Sequence, residues 1–473
     1  SFYIIMVQVN WDLTYNRGIK DYDKVCMVQI KSFMDASAYS AFLDRPITEQ
    51  CANDNPSIKS YCLFNEAWQN TILVKKGLNI QSYKVGVARC TPNIIDVFGF
   101  KLVSGDLKQI ADPKTVIISS NVSKLIGAGV GDAISMAEVY NDSTQRKIVA
   151  VYEDFPENSV LGDAGVVVDI GKENINDYSN WNYNVYVKLN SGADPTQCEK
   201  QWGEKVRSLM QKFSNSENKM SSEELENEVE SYKVRVVKIE DTYFQRDVEG
   251  LSATGNIKTT LSLMAIAILI VLIALINFIN FFFALVPVRI RAVNTFKIFG
   301  SSLFQLRLNF VFEAFGLMFL ALLVSVLLVY IFSGTSIATF VSHSLNPAQN
   351  IFVFLLTIIF SIVVAVVASV YPAYYITSFS PALVIKGSFG TSRSGRSLRT
   401  ILISLQFTIS IIFIITTIFI KMQHNYMMKY DMGFNKENLL ITRITDKIAA
   451  MGIRDSYSAK LLQNTQIKEV SYA

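Results

Sequence analysis

Histidine, the side chain most often used as a general base near neutral pH, occurs only twice in the 473-residue sequence, as His343 and His424. The two positions are far apart in the chain. A histidine-based general base, a catalytic triad and a paired metal site are therefore not expected. We expect neither a metal ion nor a cofactor.

Two glycine-containing segments invite comparison with phosphate-binding loops. Gly127–Asp132 lacks both the spacing and the Lys-Ser/Thr ending of such a loop, so it is interpreted as a tight turn between β elements. Gly390–Ser397 has the four-residue gap, but an arginine replaces the lysine. It is interpreted as belonging to a flexible basic linker at the inner lipid surface, residues 391–399. The chain itself is not expected to hydrolyse ATP.

Cysteine and glutamate are the remaining candidate metal ligands. The five cysteines include no CxxC pair, which argues against a zinc site; they are Cys26, Cys51, Cys62, Cys90 and Cys198. Two alternatives stay open for them: a disulfide between Cys51 and Cys62, or buried free thiols. A group of glutamates is spaced so that its members cannot all share one helix face, which favours a solvated surface. They are Glu223, Glu224, Glu226, Glu228 and Glu230.

The composition of the chain is typical of a membrane protein. Half of the chain is apolar, only 18% is charged, and the formal net charge is +4. Residues 1–257 hold 27 Lys and Arg against 34 Asp and Glu, whereas residues 258–473 hold 17 against 6. The basic half is also the apolar half, so a nucleic-acid partner is not expected.

Four apolar stretches are each long enough to cross a bilayer as a helix, for which about 20 residues suffice. They are residues 258–286, 308–332, 351–377 and 400–422. Residues 1–7 are interpreted as the end of a further, truncated span, and we expect the chain to be a fragment. The sequence thus predicts an α-helical membrane protein with four complete transmembrane helices and the tail of a fifth at the N-terminus.

Charge in the loops predicts the orientation of these helices. One loop holds Arg289, Arg291, Lys297 and Arg307, and another holds Lys386, Arg393, Arg396 and Arg399, with no acid in either. Basic residues in short loops stay on the cytoplasmic side. Both loops are therefore predicted to be inside, and the acidic residues 8–257 outside.

The outer segment, residues 8–257, has the pattern of a large α+β domain. Short β-branched runs alternate with turn residues and predict strands at 24–31, 80–90, 115–119, 147–152, 164–169, 183–189 and 232–239. Helical patterns fit 195–213 and 221–230.

The two ends of the chain resemble each other. Gln8–Trp11 aligns with Gln423–Tyr426, and Tyr15–Gly18 aligns with Tyr430–Gly433. Both copies are expected just outside a helix end. Residues 423–473 are therefore interpreted as the start of a second, truncated outer domain.

Several segments, in the order in which they occur, are similar to one family. In the outer domain these are Pro92–Asp106, Ala111–Ser119 and Glu153–Ser159. In the membrane part they are Asn277–Asn280, Tyr371–Ala373, Ser380–Leu383, Gln406–Ser410 and Gly433–Asn435. Together they resemble the MacB/FtsX-like permeases of ABC transporters, in the form with two membrane-and-ectodomain halves.

The resemblance implies an organisation and a function. Residues 8–257 would be a MacB-like periplasmic core domain, residues 258–390 an FtsX-like transmembrane domain, and residues 400–422 the first helix of the second repeat. The protein would be multi-pass in the bacterial inner membrane. A separate ABC ATPase dimer would drive export or extrusion of a peptide, drug or lipoprotein, and the outer domain could contact a periplasmic or outer-membrane partner.

The segment Arg289–Ser302 resembles the helix with which the family binds its ATPase. The resemblance implies that the binding residues are Arg289, Arg291, Val293, Phe296, Lys297, Gly300 and Ser301. Helical spacing of Val293, Phe296 and Gly300 predicts an apolar stripe. Judged from the residues alone, an interfacial helix that only anchors to anionic headgroups is an equal alternative. The segment departs from the family at two positions, Ala292 in place of an acid and Asn294 in place of a glycine.

Other interpretations stay open at this stage. Glu313, the one acid near a span, is expected to be solvated or paired with arginine as a structural residue. For the whole protein, the alternatives are a membrane receptor or sensor with a ligand-binding ectodomain, or a regulator of a cell-wall hydrolase.

Overall fold

The computed structural model describes residues 1–32, 37–76, 79–136, 145–216, 221–335, 341–379, 393–430, 433, 439–440 and 454–471. The chain divides into two compact units. We call residues 1–13 and 257–439 the membrane unit, and residues 14–256 with 440–473 the α+β unit.

Helices and strands are numbered here in chain order within the described residues. The helices are α1 (Phe2–Leu13), α2 (Arg45–Asn53), α3 (Ile94–Phe98), α4 (Ser120–Ile126), α5 (Pro195–Ser216), α6 (Ser222–Ser231), α7 (Ile239–Thr242), α8 (Ile257–Ile298), α9 (Leu303–Ser333), α10 (Ile351–Ser378), α11 (Arg393–Lys429) and α12 (Arg454–Leu462). The strands are β1 (Val25–Lys31), β2 (Tyr39–Ser40), β3 (Phe42–Asp44), β4 (Ile58–Lys76), β5 (Asn79–Cys90), β6 (Leu102–Gly105), β7 (Thr115–Ser119), β8 (Ala133–Met136), β9 (Gln145–Tyr152), β10 (Val166–Asp169), β11 (Trp181–Leu189), β12 (Val234–Lys238) and β13 (Val248–Glu249).

Four helices of the membrane unit are long and apolar enough to span a bilayer, as predicted. The apolar spans are Ile257–Leu285, Leu303–Ser333, Ile351–Ser378 and Arg399–Lys429. Helices α8 and α11 extend beyond their apolar spans, because polar residues can continue a helix outside the lipid. The expectation of a flexible basic linker is wrong for residues 393–399, which form the first turns of α11. Residues 391–392 lie outside the described residues.

The first parts of the two repeated segments are helical. Gln8–Trp11 lies within α1 and Gln423–Tyr426 lies within α11, so the expectation that both copies sit outside a helix end is wrong for these residues. Tyr15–Gly18 follows the end of α1, and residues 431–432 of the second copy lie outside the described residues. The expectation failed because amphipathic residues at the end of a helix lower the hydropathy before the helix itself ends. The two helices nevertheless end at nearly equivalent positions of the repeat, Leu13 and Lys429.

Small side chains let the membrane helices pack closely. Ala365, Ala368 and Ala373 on α10 are buried, and two of them join a cluster with α8 and α9. Such residues allow helix backbones to approach in a membrane, where van der Waals contact rather than the hydrophobic effect drives association. The buried members of the cluster are Phe282, Phe283, Val293, Leu306, Phe310, Ala314, Ala365, Ala373 and Ile376.

Six strands of the α+β unit close into a barrel. Strand β4 pairs with β5 and β8, β5 with β10, β10 with β7, β7 with β9, and β9 with β8. Closure removes the free edges along this circuit. Inward side chains are branched and apolar, so they fill the interior. They include Ile72, Val74, Val85, Val116, Ile118, Ile134, Ile148 and Val166.

The other strands extend from the barrel as an open sheet covered by helices. Strand β1 lies between β11 and β12. Six of its seven residues are buried, because alternate side chains enter two different apolar clusters. Trp202 of α5 is fully buried against this sheet, and Cys198 and Val206 lie one turn to either side of it. The predicted strands and both predicted helices of this unit are confirmed, and β4 was missed.

The five cysteines are buried free thiols. Cys51 belongs to the cluster beside α5, and Cys62 belongs to a different cluster, so the predicted alternative of a disulfide between them is wrong. Although Cys51 and Cys62 are close in sequence, Cys51 lies on α2 and Cys62 lies on β4 in the sheet, so they enter different clusters. Burial raises the pKa of Cys26, Cys51 and Cys198 to about 12.

All five thiols should therefore resist alkylation in the folded protein. At pH 8 a thiol with such a pKa is thiolate in only about one molecule in 10,000, and the reagent cannot reach the buried sulfur. We expect mass spectrometry to find almost no maleimide adduct on the native chain. After denaturation without a reductant it should find five adducts, whereas three would reveal a disulfide.

Candidate functional site

The segment predicted to bind an ATPase is the continuation of a membrane-spanning helix. The apolar span ends at Leu285, but α8 continues without a break to Ile298. Arg289 to Lys297 therefore lie on the same continuous helix as the first complete span.

Helix α8 stops in a glycine-dependent turn. Gly300 has φ +88°, its N–H donates to the oxygen of Lys297, and the N–H of Ser301 donates to the oxygen of Phe296. This is the Schellman pattern, which needs a left-handed residue that glycine adopts without strain. The hydroxyl of Ser302 then accepts from the N–H of Gln305 and caps α9. Two helices thus meet at a tight corner.

The predicted apolar stripe is wrong in its arrangement. Val293 is buried in the cluster between α8, α9 and α10, Phe296 is exposed, and Gly300 belongs to the turn. Spacing along a helix could not reveal this, because the neighbouring helices cover one side of the segment and leave the other uncovered.

Basic residues at this end tie the helices together. Arg289 donates through both guanidinium Nη atoms to the carboxylate of Glu313 on α9, as expected for an arginine-paired structural acid. Nζ of Lys297 donates to the oxygens of Thr377 (2.6 Å) and Phe379 (2.9 Å) at the end of α10. A cation is favourable there, because the last carbonyls of a helix carry partial negative charge.

Arg307 adds a further link between α9 and α10. Its Nε donates to Oγ1 of Thr377 at 3.0 Å, and its guanidinium lies 3.8 Å from the ring centre of Tyr374. Arg291, by contrast, is exposed. Most of the positive charge predicted to face a partner therefore holds the bundle together instead.

The large side chains exposed at the corner between α8 and α9 are apolar. Around the corner lie five large side chains with exposed fractions from 45% to 83%, which we call the apolar knob. They are Phe296, Ile298, Phe299, Leu303 and Phe304. Ser301, Gln305, Leu306 and Asn309 line a shallow depression beside Phe296. Of the residues in the apolar knob, only Phe296 was predicted from the sequence. The signal that could have identified the others is the group of aromatic residues on both sides of the Gly-Ser-Ser turn.

The two departures from the family pattern differ in environment. Ala292 is exposed, whereas Asn294 is buried and donates from Nδ2 to the oxygen of Ile290 at 2.8 Å. The side chain in place of the usual glycine thus faces the interior of the helix bundle rather than the apolar knob.

The other candidate residues have structural surroundings. Within the described residues, no group of three or more His, Cys, Asp or Glu side chains could hold a metal ion. The ring of His343 stacks on Trp11. Gly127 ends α4 with φ +60°, so the segment to Asp132 is a turn between a helix and a strand, not between two strands.

The glutamate-rich segment is a solvated helix face, as predicted. Glu224 and Ser221 form a reciprocal cap at the start of α6. Glu226 pairs with Arg207, and Glu230 pairs with Lys31. Hydrogen bonds from these basic side chains lower the pKa of both Glu226 and Glu230.

Fold and exposed surface together define a membrane protein that carries a large extracytoplasmic α+β domain. Residues 2–205 match the MacB-like periplasmic core domain, and residues 264–381 match the FtsX-like permease C-terminal family. The chain therefore belongs to the MacB/FtsX-like permeases, which are membrane components of ABC transporters and work with ABC ATPases. No curated protein matches the sequence significantly.

Three solved structures are similar to part of the chain. A domain of a protein described as a permease, from Porphyromonas gingivalis, has 19% identity and a TM-score of 0.35, covering 52% of this chain and 99% of its own. The periplasmic region of MacB from Actinobacillus actinomycetemcomitans has 15% identity and a TM-score of 0.32, covering 48% and 92%. The extracellular domain of the transporter YknZ from Gram-positive bacteria has 12% identity and a TM-score of 0.29, covering 45% and 99%.

Proposed function

We propose that the chain is the permease subunit of an inner-membrane ABC transporter that transmits movement of a partner ATPase dimer to the periplasmic domain. The substrate class is a peptide, drug or lipoprotein for export or extrusion. The observation that carries the proposal is the apolar knob at the end of a helix that continues directly from the first complete span.

Orientation supports this role. The short loops at this end carry basic residues without acids, which favours the cytoplasmic side. An ATPase that hydrolyses cytoplasmic ATP would meet the knob there. Large aromatic side chains surrounded by polar groups are typical of the residues that dominate binding energy in protein interfaces.

The links between helices explain how a push at the knob would spread. Arg289 holds α8 to α9, Lys297 holds α8 to α10, and Arg307 holds α9 to α10. Because three helices are cross-linked at one end, they would move as a group. The polar residues predicted to bind the ATPase are thus assigned to transmission, and the knob is assigned to binding.

Replacing Phe299 with aspartate should abolish co-purification of the ATPase encoded with this permease. A buried aromatic anchor contributes about 2 kcal/mol or more to an interface, which corresponds to roughly 30-fold weaker binding. The measurement is the amount of ATPase retained on the tagged full-length permease in detergent. Phe304→Asp should behave in the same way.

Phe299→Leu is the matched control, since it keeps an apolar side chain at the same exposed position and should retain most of the ATPase. Val293→Asp is unsuitable as a probe of docking, because Val293 is buried and a charge there would disrupt the bundle. Undiminished ATPase binding by both Phe299→Asp and Phe304→Asp would contradict the proposal and favour a helix that only anchors to headgroups.

A further inference from the structure

Two chain segments connect residues 14–256 of the α+β unit to helices α1 and α8. Residues 14–19 follow α1, and residues 250–256 precede α8; both belong to the α+β unit. Any force carried by these two helices along the chain must pass through these segments. How firmly the segments are held decides whether the domain follows the helices or is left behind.

Tyr243 contacts both segments. Its ring stacks on that of Tyr15, with centroids 4.1 Å apart and an angle of 13° between the planes. Its backbone oxygen accepts from the N–H of Gly255 at 2.7 Å. A Cβ atom at residue 255 would lie 2.3 Å from Cε1 of Tyr243, so glycine permits this close approach. One residue therefore holds the outgoing and the returning chain.

Asn16 fastens the outgoing segment to the domain. It is fully buried with φ +64°, a left-handed conformation that asparagine tolerates better than most residues. Its Nδ2 donates to the oxygen of Ile239 (2.9 Å), and its Oδ1 accepts from the N–H of Val160 (2.9 Å). Its own N–H donates to the oxygen of Asn158 at 2.8 Å.

These anchors reach the core of the domain. Ile239 begins α7, the short helix that precedes Tyr243, and is fully buried in the cluster that also contains Ile19 and Val25. Gly18 packs against Pro156, where a Cβ atom would lie 2.4 Å from Cγ of the proline. The outgoing segment is thus fixed by hydrogen bonds, ring stacking and close packing rather than tethered as a free linker.

We propose that Tyr243, together with Tyr15 and Asn16, forms a joint that holds both chain connections at one place on the α+β domain. Displacement of α1 and α8 then moves the domain as a whole. The inference rests on the proposed transmission function and assigns Tyr243 as a positioning residue for it. Without the joint, the connecting segments would absorb the movement by local rearrangement.

The test uses the full-length permease with its ATPase in nanodiscs. A donor fluorophore is attached at Lys172→Cys in the α+β domain, an exposed position, while the native thiols are buried. The acceptor is carried on the lipid headgroups of the nanodisc, and the change in distance between the domain and the lipid surface on ATP binding is measured by resonance energy transfer. Tyr243→Ala should reduce this change by at least half, with ATPase co-purification unaltered. Tyr243→Phe keeps the stacked ring and should retain the full change.

A second variant keeps the test informative if Tyr243→Ala fails to fold. Gly255→Ala removes no side chain but places a methyl group against Tyr243, and it should also reduce the change in distance. A wild-type complex that binds ATP without any change in distance would overturn the transmission function, and the joint with it. A wild-type change that persists in full in both Tyr243→Ala and Gly255→Ala would overturn the joint alone.

Discussion

Asn16→Ala is expected to destabilise the α+β domain by about 3 kcal/mol or more. The substitution leaves the part-buried N–H of Val160 and the buried oxygen of Ile239 without their partner, at a cost of about 1–3 kcal/mol each. It also forces a residue with a Cβ atom and no polar side chain into left-handed backbone, which costs about 1–2 kcal/mol. Native-state hydrogen exchange of the slowest amides of the α+β domain, measured in the whole chain, should accelerate by roughly 100-fold or more.

Two further substitutions separate the contributions. Asn16→Gly tolerates the positive φ, so it should be less destabilising than Asn16→Ala by about 1 kcal/mol while still losing both side-chain hydrogen bonds. Asn16→Asp keeps an acceptor for Val160 but loses the donor to Ile239. If Asn16→Ala and Asn16→Gly exchanged at the wild-type rate, the buried hydrogen bonds of Asn16 would not stabilise the domain.

The sequence predicted strands wherever apolar residues dominate a short run. Strand β7 was placed without error, because Val116, Ile117 and Ile118 are apolar and a turn precedes the strand. The 19-residue strand β4 was missed, because residues such as Asn65 and Asn70 interrupt its pattern. Its conformation is imposed by pairing with β5, β8 and β11, which are remote interactions. Closure of the barrel depends on the same pairing and has no local signal.

The sequence indicated which segment to consider as the candidate site, but not how its side chains are arranged. Runs without charge located the helices, and the resemblance located the segment that begins at Arg289. Whether a residue on that segment faces a partner or the bundle depends on α9 and α10, which lie elsewhere in the sequence. Val293 and Lys297 are therefore turned inward, and Phe299 and Phe304 emerge as the exposed surface. A helical wheel of one segment cannot contain this information.

Arg289→Ala is expected to destabilise the membrane unit strongly, by about 2 kcal/mol or more, because it leaves the carboxylate of Glu313 on a membrane-spanning helix without its cation. The expected result is a lower temperature of unfolding for the full chain in detergent, measured by fluorescence-detected size exclusion after heating.

The reciprocal substitution should be milder. In Glu313→Gln the amide oxygen can still accept from Arg289, whose long side chain can also carry its charge to the headgroup region. The double variant Arg289→Ala/Glu313→Gln should recover much of the stability lost in Arg289→Ala, since neither member of the pair then carries a charge without its partner. This account would be contradicted if the two single variants lost equal stability and the losses simply added in the double variant. Arg289 and Glu313 would then contribute independently, and the pair would not cross-link α8 to α9 as transmission requires.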